Sequence, residues 1–194
     1  MIPVYVDLDR TLIRRSTSTL ELRNYVLGNG LTSTIFAFLE NRLFTKLKLK
    51  SWVSEQPTEI DYSNQFNPEV ISLIRDFKLN GSPIILATAS TRISTDRVMA
   101  QCPIQFDEII TSSSSKNIKG LKKLSEIQKS LKLYESNSFV YIGDSFHDLK
   151  VMKNSSRSFF VGKKMVYFLG RYLYQITEFN KIDSPTQTDG GTSK

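Results

Sequence analysis

Short runs of β-branched and aromatic residues alternate along this chain with stretches whose apolar residues recur every three or four positions. The first run, residues 2–6, predicts a buried strand. Residues 14–66 then carry Leu20, Leu22, Tyr25 and Val26, followed by Ile35, Phe36, Phe38, Leu39, Leu43 and Phe44, at helical spacing. That spacing predicts a small helical insertion. Asn67 and Pro68 supply an N-cap and first position for a helix over 69–79, which Gly81 ends. A second strand over 83–87 closes at Thr88, a helix is predicted over 89–101 and a short strand over 106–110. An amphipathic helix over 119–133 would turn Leu121, Leu124, Ile127 and Leu131 inward. Strands over 139–142 and 157–161, a helix over 165–176 and a polar, disordered tail over 184–194 complete the reading. Strands alternating with helices in this way predict an α/β fold built on a parallel sheet.

At 194 residues the chain can bury one α/β core with an appended element, but not two ordinary domains. The division expected is a core over 1–13 and 67–176, an insertion over 14–66 and a tail over 177–194. A hydrophobic content of 40% and a charged content of 23% are those of a soluble globular protein. The lone Cys102 excludes an intrachain disulfide framework and reads as a small core residue, which points to a reducing, cytoplasmic setting. Asp7 and Asp9 fall where a signal peptide would be apolar, and no stretch approaches the ~20 apolar residues of a membrane span.

The net charge of +7 is concentrated in Arg42, Lys46, Lys48 and Lys50, in Lys116, Lys119, Lys122, Lys123, Lys129 and Lys132, and in Lys163, Lys164 and Arg171. Such a surface suits anionic ligands. With no nucleic-acid-binding motif alongside, a phosphorylated small molecule is the expected partner rather than nucleic acid. Residues 43–53, where Lys46, Lys48 and Lys50 interleave with Leu47, Leu49 and Trp52, have two readings: packing within the insertion, or peripheral contact with an anionic membrane surface.

The candidate chemistry begins where the first strand ends. Residues two apart on a strand point the same way, roughly 6.6 Å apart along it, so Asp7 and Asp9 are expected on one face. Two carboxylates placed together are tolerated mainly when a cation or a catalytic task fills the gap. In a parallel sheet, ligands bind beyond the carboxyl ends of the strands, where Thr88 and Asp144 also fall and to which Lys119 can project. Carboxylates with one hydroxyl and one amine are what Mg²⁺-assisted phosphoryl transfer requires.

Four motifs now stand in order: DLDRT from Asp7, ILATAS carrying Thr88, the pair Lys119–Gly120, and YIGDSFHD carrying Asp144 and Asp148. In these the chain resembles the haloacid dehalogenase (HAD) superfamily, in its phosphoserine-phosphatase-like branch. ILATAS with Arg92, and Asn117 to Gly120, are most similar to the HAD domains that accompany membrane prenyltransferases. The resemblance implies a Rossmann-like sheet flanked by helices, with a helical cap inserted after the first strand. It implies a Mg²⁺-dependent phosphatase in which Asp7 is the nucleophile, Asp9 the general acid and base, and Thr88 and Lys119 complete the catalytic set. Substrate contacts would come from Thr88, Ala89, Lys119 and Arg15, with Arg14, Ser16 and Thr17 beside them. Mg²⁺ would be held by Asp7, Asp9 through its backbone carbonyl, and Asp144, with Asp148 either a ligand or a support. Lys122 and Lys123 are alternatives to Lys119. A phosphotransferase, a nucleic-acid-end phosphatase and a non-catalytic phosphate-binding protein are the alternatives in function. Arg10 stands where the family usually has glycine, and either points to solvent or reaches a substrate anion. His147, the single histidine, reads as a surface turn residue.

Overall fold

Six parallel strands form one sheet in the order β3 (Glu108–Ser112), β2 (Ile84–Thr91), β1 (Val4–Val6), β4 (Val140–Gly143), β5 (Arg157–Val161) and β6 (Phe179–Ile182), numbered along the chain. This computed structural model describes residues 1–41, 45–113, 117–162, 167–168, 170–171, 175–176 and 178–182. The near-continuous apolar runs are explained by burial on both faces. Val4, Val6, Ile84, Leu86, Val140 and Ile142 face one core, while Tyr5, Ile85, Ala87 and Tyr141 face the other. The first core is covered by α4 (Pro68–Leu79) and α5 (Arg92–Met99), the second by α6 (Leu121–Leu131) and α7 (Leu149–Met152). The expected α/β architecture is therefore the one found.

Helix α4 begins as its residues predict, with the Asn67 side chain accepting from the Glu69 N–H and Pro68 in the first turn. Elsewhere the boundaries move. β2 continues through Thr88 to Thr91, and α5 starts at Arg92 rather than at 89. Two β-branched threonines favour the extended chain, and Thr91 Oγ1 caps α5 by accepting from the Ser94 N–H. α6 starts at Leu121, after Gly120 at φ +57°, so Lys119 precedes the helix. Leu121, expected inward, is 61% exposed. The buried stripe of α6 instead runs through Lys123, Leu124, Ile127, Ser130 and Leu131.

A further departure is β6, which lies within residues 177–194, expected to be a disordered tail. Its pairing with β5 is fixed by packing: the ring of Phe179 stacks on Tyr167 at 4.7 Å and meets Phe160 edge-on at 5.8 Å. Residues 184–194, together with Tyr172 and Tyr174, lie outside the described residues, as do Arg42, Leu43, Phe44, Lys116, Lys163 and Lys164.

Between β1 and β2 the chain forms α1 (Thr17–Asn29), α2 (Leu31–Glu40) and α3 (Lys46–Glu55). Trp52 of α3 meets Tyr25 of α1 edge-on at 4.9 Å, and Val53 is fully buried. Lys50 turns toward the sheet, where its Nζ donates to the Ala89 carbonyl at 3.5 Å. These side chains of the 43–53 segment are engaged within the protein, which favours packing over membrane contact as the reason for its pattern. No helix among the described residues is long and apolar enough to cross a membrane.

The insertion is tied to α5 through Glu21 of α1, whose side chain is fully buried. It accepts from Ser94 Oγ at 2.8 Å and from Arg97 Nη1 at 3.1 Å, while Arg97 Nη2 donates to the Gln56 carbonyl at 2.9 Å. Burial pushes the Glu21 carboxyl upward, and Ser94 and Arg97 oppose that shift. Arg97→Ala would strand Glu21 without its cation. Urea unfolding should show a loss of about 3 kcal/mol, the low end for a broken buried pair because a quarter of Arg97 remains exposed. Adding Glu21→Gln should recover most of it; a loss below about 0.5 kcal/mol in the single variant would mean the pair does not anchor the insertion.

Candidate active site

Asp7 and Asp9 do not sit on β1 but in the turn that follows it. The Leu12 and Ile13 N–H groups donate back to the Asp7 and Leu8 carbonyls, and Arg10 adopts φ +62°. Left-handed backbone costs a non-glycine residue roughly 1 kcal/mol. Here Arg10 extends its mostly exposed side chain to Asp144 Oδ2 at 3.4 Å. The turn, rather than the two-residue period of a strand, thus sets where the two carboxylates point.

Asp7 is 7% exposed and its Oδ1 accepts from Lys123 Nζ at 2.8 Å. The same ammonium donates to Asp148 Oδ1 at 3.1 Å and to the Tyr141 hydroxyl at 2.9 Å. Tyr141 in turn donates to Asp148 Oδ1, and Asp148 Oδ2 accepts from the Ser145 N–H and hydroxyl. The glycine of the fourth motif is needed for this packing: a Cβ at Gly143 would lie 2.6 Å from the Tyr141 ring and 3.1 Å from Asp148 Oδ2. In this arrangement the amine on Asp7 is that of Lys123, an alternative in the sequence reading. Lys119 is exposed and lines the cavity above.

Asp9 is held separately. Its Oδ1 accepts from the Thr17 N–H and its Oδ2 from the Ser90 hydroxyl, both at 2.8 Å. Since Ser90 donates its single proton to Asp9, the Thr17 hydroxyl, 2.9 Å from Ser90 Oγ, donates to Ser90. Thr17, expected at the substrate, is 1% exposed and braces Asp9 instead. Lys50 Nζ approaches Asp9 Oδ2 at 3.9 Å. Thr88, buried at the end of the central strands, accepts from the Ser90 N–H through Oγ1.

Oxygens of Asp7, Asp144 and Asp148 lie within 4.8 Å of one another. Three carboxylates around one lysine leave an excess of negative charge. Burial pushes the Asp144 carboxyl up to about 8, reinforced by Asp7 and Asp148 and only partly opposed by Arg10. Burial also raises Asp7 to about 6 against the pull of Lys123. For Asp148 burial acts upward too, but Lys123, Ser145 and Tyr141 outweigh it and hold that group below the usual range. A hard, oxygen-seeking divalent cation fits a cluster that must otherwise hold protons. The Asp9 side chain is outside this carboxylate group.

The proton affinity has a measurable consequence. The folded chain keeps the Asp144 proton up to about pH 8, while the unfolded chain releases it near 3.8. Stability from this group is therefore complete below about pH 4 and lost as pH rises toward 8. With chelator present, one unshared proton should lower the melting temperature by roughly 5–10 °C between pH 6 and pH 8. Mg²⁺ should remove most of that slope; equal slopes with and without Mg²⁺ would place the cation elsewhere.

These groups open into a cavity of about 570 Å³, also bordered by Arg14, Arg15, Ser16, Ala89, Lys119 and His147. Every residue expected at the site borders this one cavity except Thr17 and Lys122, one of the two alternatives to Lys119. No protein-family model matches the sequence. A HAD-family hydrolase from Salmonella enterica serovar Typhi superposes with a TM-score of 0.62 at 13% identity, covering 93% of this chain and 68% of its own. This is the HAD fold. A predicted phosphatase from Clostridium acetobutylicum superposes with a TM-score of 0.60 at 17% identity, over 93% of this chain and 94% of the other. A substrate-bound phosphoserine phosphatase gives 0.57 at 14% identity, over 86% and 89%. In sequence, an uncharacterised protein of Sinorhizobium fredii is 29% identical over 163 residues, 83% of this chain and 30% of that protein. The chain thus spans less than a third of that relative's length.

Within the HAD fold, the residues missed by sequence reasoning are Tyr141, Ser90 and the primary role of Lys123. A signal for the last was present: Lys123 lies four residues before Ile127 and next to Leu124, on the apolar stripe of α6. A lysine on a buried stripe requires a partner carboxylate.

Proposed function

We propose that the chain is a HAD-superfamily phosphatase that hydrolyses a phosphomonoester through an aspartyl-phosphate on Asp7. The observation that carries this reading is the separation of two carboxylates into different environments. Asp7 is buried with Oδ1 fixed by Lys123 and Oδ2 left for attack, while Asp9 is held by a hydroxyl chain. In the first step Asp7 Oδ2 bonds to phosphorus as the phosphorus–oxygen bond to the alcohol breaks, and Asp9 gives its proton to the departing oxygen. In the second, Asp9 takes a proton from water as that water attacks phosphorus, releasing inorganic phosphate and the Asp7 carboxylate. The Thr17–Ser90 chain suits both states of Asp9, because each hydroxyl can reverse from donor to acceptor. Thr88 hydrogen-bonds the transferring phosphoryl oxygens, Lys119 and Ala89 border them, and Lys123, whose three donors go to Asp7, Asp148 and Tyr141, holds the nucleophile in place. Mg²⁺, held by Asp7, Asp144 and the Asp9 carbonyl with Asp148 in support, would neutralise charge on the phosphoryl group. The HAD fold of the phosphatases above supports this reading. Kinship to domains that accompany membrane prenyltransferases rests on the residues of ILATAS, Arg92 and Asn117 to Gly120.

Hydrolysis of a generic aryl phosphate tests the activity. Phosphate release should require Mg²⁺ and stop on chelation; release that is indifferent to chelator would rule out the metal-assisted route.

A further inference from the structure

The charges around the cavity exceed what one phosphoryl group requires. Its acids all come from the turn after β1 and from the loop after β4: Asp7, Asp9, Asp144 and Asp148. Three of the bordering cations are spent on them, with Lys123 on Asp7 and Asp148, Arg10 on Asp144 and Lys50 near Asp9. Arg14 and Arg15 have no carboxylate within 4.0 Å among the described residues, and both are exposed on the cavity wall. The insertion side of that wall is Arg14, Arg15, Ser16, Ser18, Thr19 and Lys50. It presents cations and hydroxyls and, among the described residues, no acid and no large apolar side chain. Glu21, the buried acid of α1, is committed to Ser94 and Arg97.

Resting on the phosphatase reading, we propose that the substrate carries a second anionic group, remote from the phosphoryl group transferred, which Arg14 and Arg15 bind. Among the described residues of this side, an ammonium-bearing substrate would meet two guanidiniums and no carboxylate, and an aliphatic or aromatic tail would meet no large apolar side chain. A small polar molecule with a carboxylate or second phosphate at its far end matches the wall in charge and hydrogen bonding. Arginine suits either anion, since its fork of donors pairs with two oxygens at once.

Three non-hydrolysable probes built on a three-carbon chain test the inference: propylphosphonate, 3-phosphonopropionate and propane-1,3-bisphosphonate, titrated calorimetrically into the protein with saturating Mg²⁺. At least one of the doubly anionic probes should bind tenfold or more tightly than propylphosphonate, and the better of the two identifies the second group as carboxylate or phosphate. In Arg14→Ala/Arg15→Ala that preference should fall below threefold. In Lys122→Ala/Lys129→Ala, which removes as much charge from exposed positions of α6, it should persist. Equal affinities for the three probes, or no binding of either doubly anionic one at millimolar concentration, would overturn the proposal. Loss of the preference in the α6 variant would overturn it too, by reducing it to net charge. Failure of the phosphatase reading is read separately, as absent aryl-phosphate hydrolysis in a protein that keeps the probe preference.

Discussion

Asp7→Asn should abolish turnover of an aryl phosphate by at least about a thousandfold while leaving the fold intact. The asparagine carbonyl can still accept the hydrogen bond of Lys123, so the contact at 2.8 Å survives the change. What is lost is the oxygen opposite it, replaced by an amide nitrogen whose lone pair is delocalised and unreactive toward phosphorus. The substitution also removes a charge from a cluster in which Asp7 is raised to about 6 by burial, with Asp148 and Asp9 adding to the rise. The metal-free variant should therefore melt no lower than the wild type at pH 8, and its affinity for Mg²⁺ should weaken. Turnover within tenfold of wild type would move the nucleophile to another group, and a collapsed melting temperature would mean that Asp7 serves the fold rather than the reaction.

The second large effect separates two lysines. Lys123→Met would leave Asp7 and Asp148, both buried, without the cation between them, and would remove a donor to Tyr141. Breaking a buried pair in this way costs about 3–5 kcal/mol, and urea unfolding should report a loss of that size together with loss of turnover. Lys119→Met changes an exposed side chain outside α6, and its stability should stay within about 0.5 kcal/mol of wild type. Equal stability losses in the two variants would contradict the placement of the buried amine on α6. Restoring a cation with Lys123→Arg should not recover wild-type activity, because a planar guanidinium cannot occupy the point where three oxygens converge on one nitrogen.

Both predictions depend on a distinction that linear sequence blurs. Lys119 stands beside Gly120 in the motif pair. Gly120, at φ +57°, turns the chain just before α6, and the first buried position for a long amine is the third residue of that helix, Lys123. Likewise Thr17 follows the first motif closely, a place that suits a substrate contact. The chain folds α1 back so that its first N–H reaches Asp9, and the threonine is buried by that act.

What the sequence determined by itself is local. The apolar runs specify strands that must be buried on both faces, the Asn67–Pro68 pair starts a helix, and the four motifs deliver Asp7, Asp9, Thr88, Asp144 and Asp148 to strand ends on one edge of a parallel sheet. Each of these follows from short-range geometry, and the order of the motifs carries the resemblance to the HAD superfamily. Tertiary structure alone decided which lysine meets Asp7, that Ser90 and Thr17 secure Asp9, that Glu21 and Arg97 tie the insertion to α5, and that β6 completes the sheet. The reason is common to all four. A buried charge or an edge strand is stable only with a partner, and the partner lies 73 to 116 residues away in the ion pairs and the hydroxyl brace, or across a strand edge in β6. Nothing in residue spacing encodes those distances until the chain has closed.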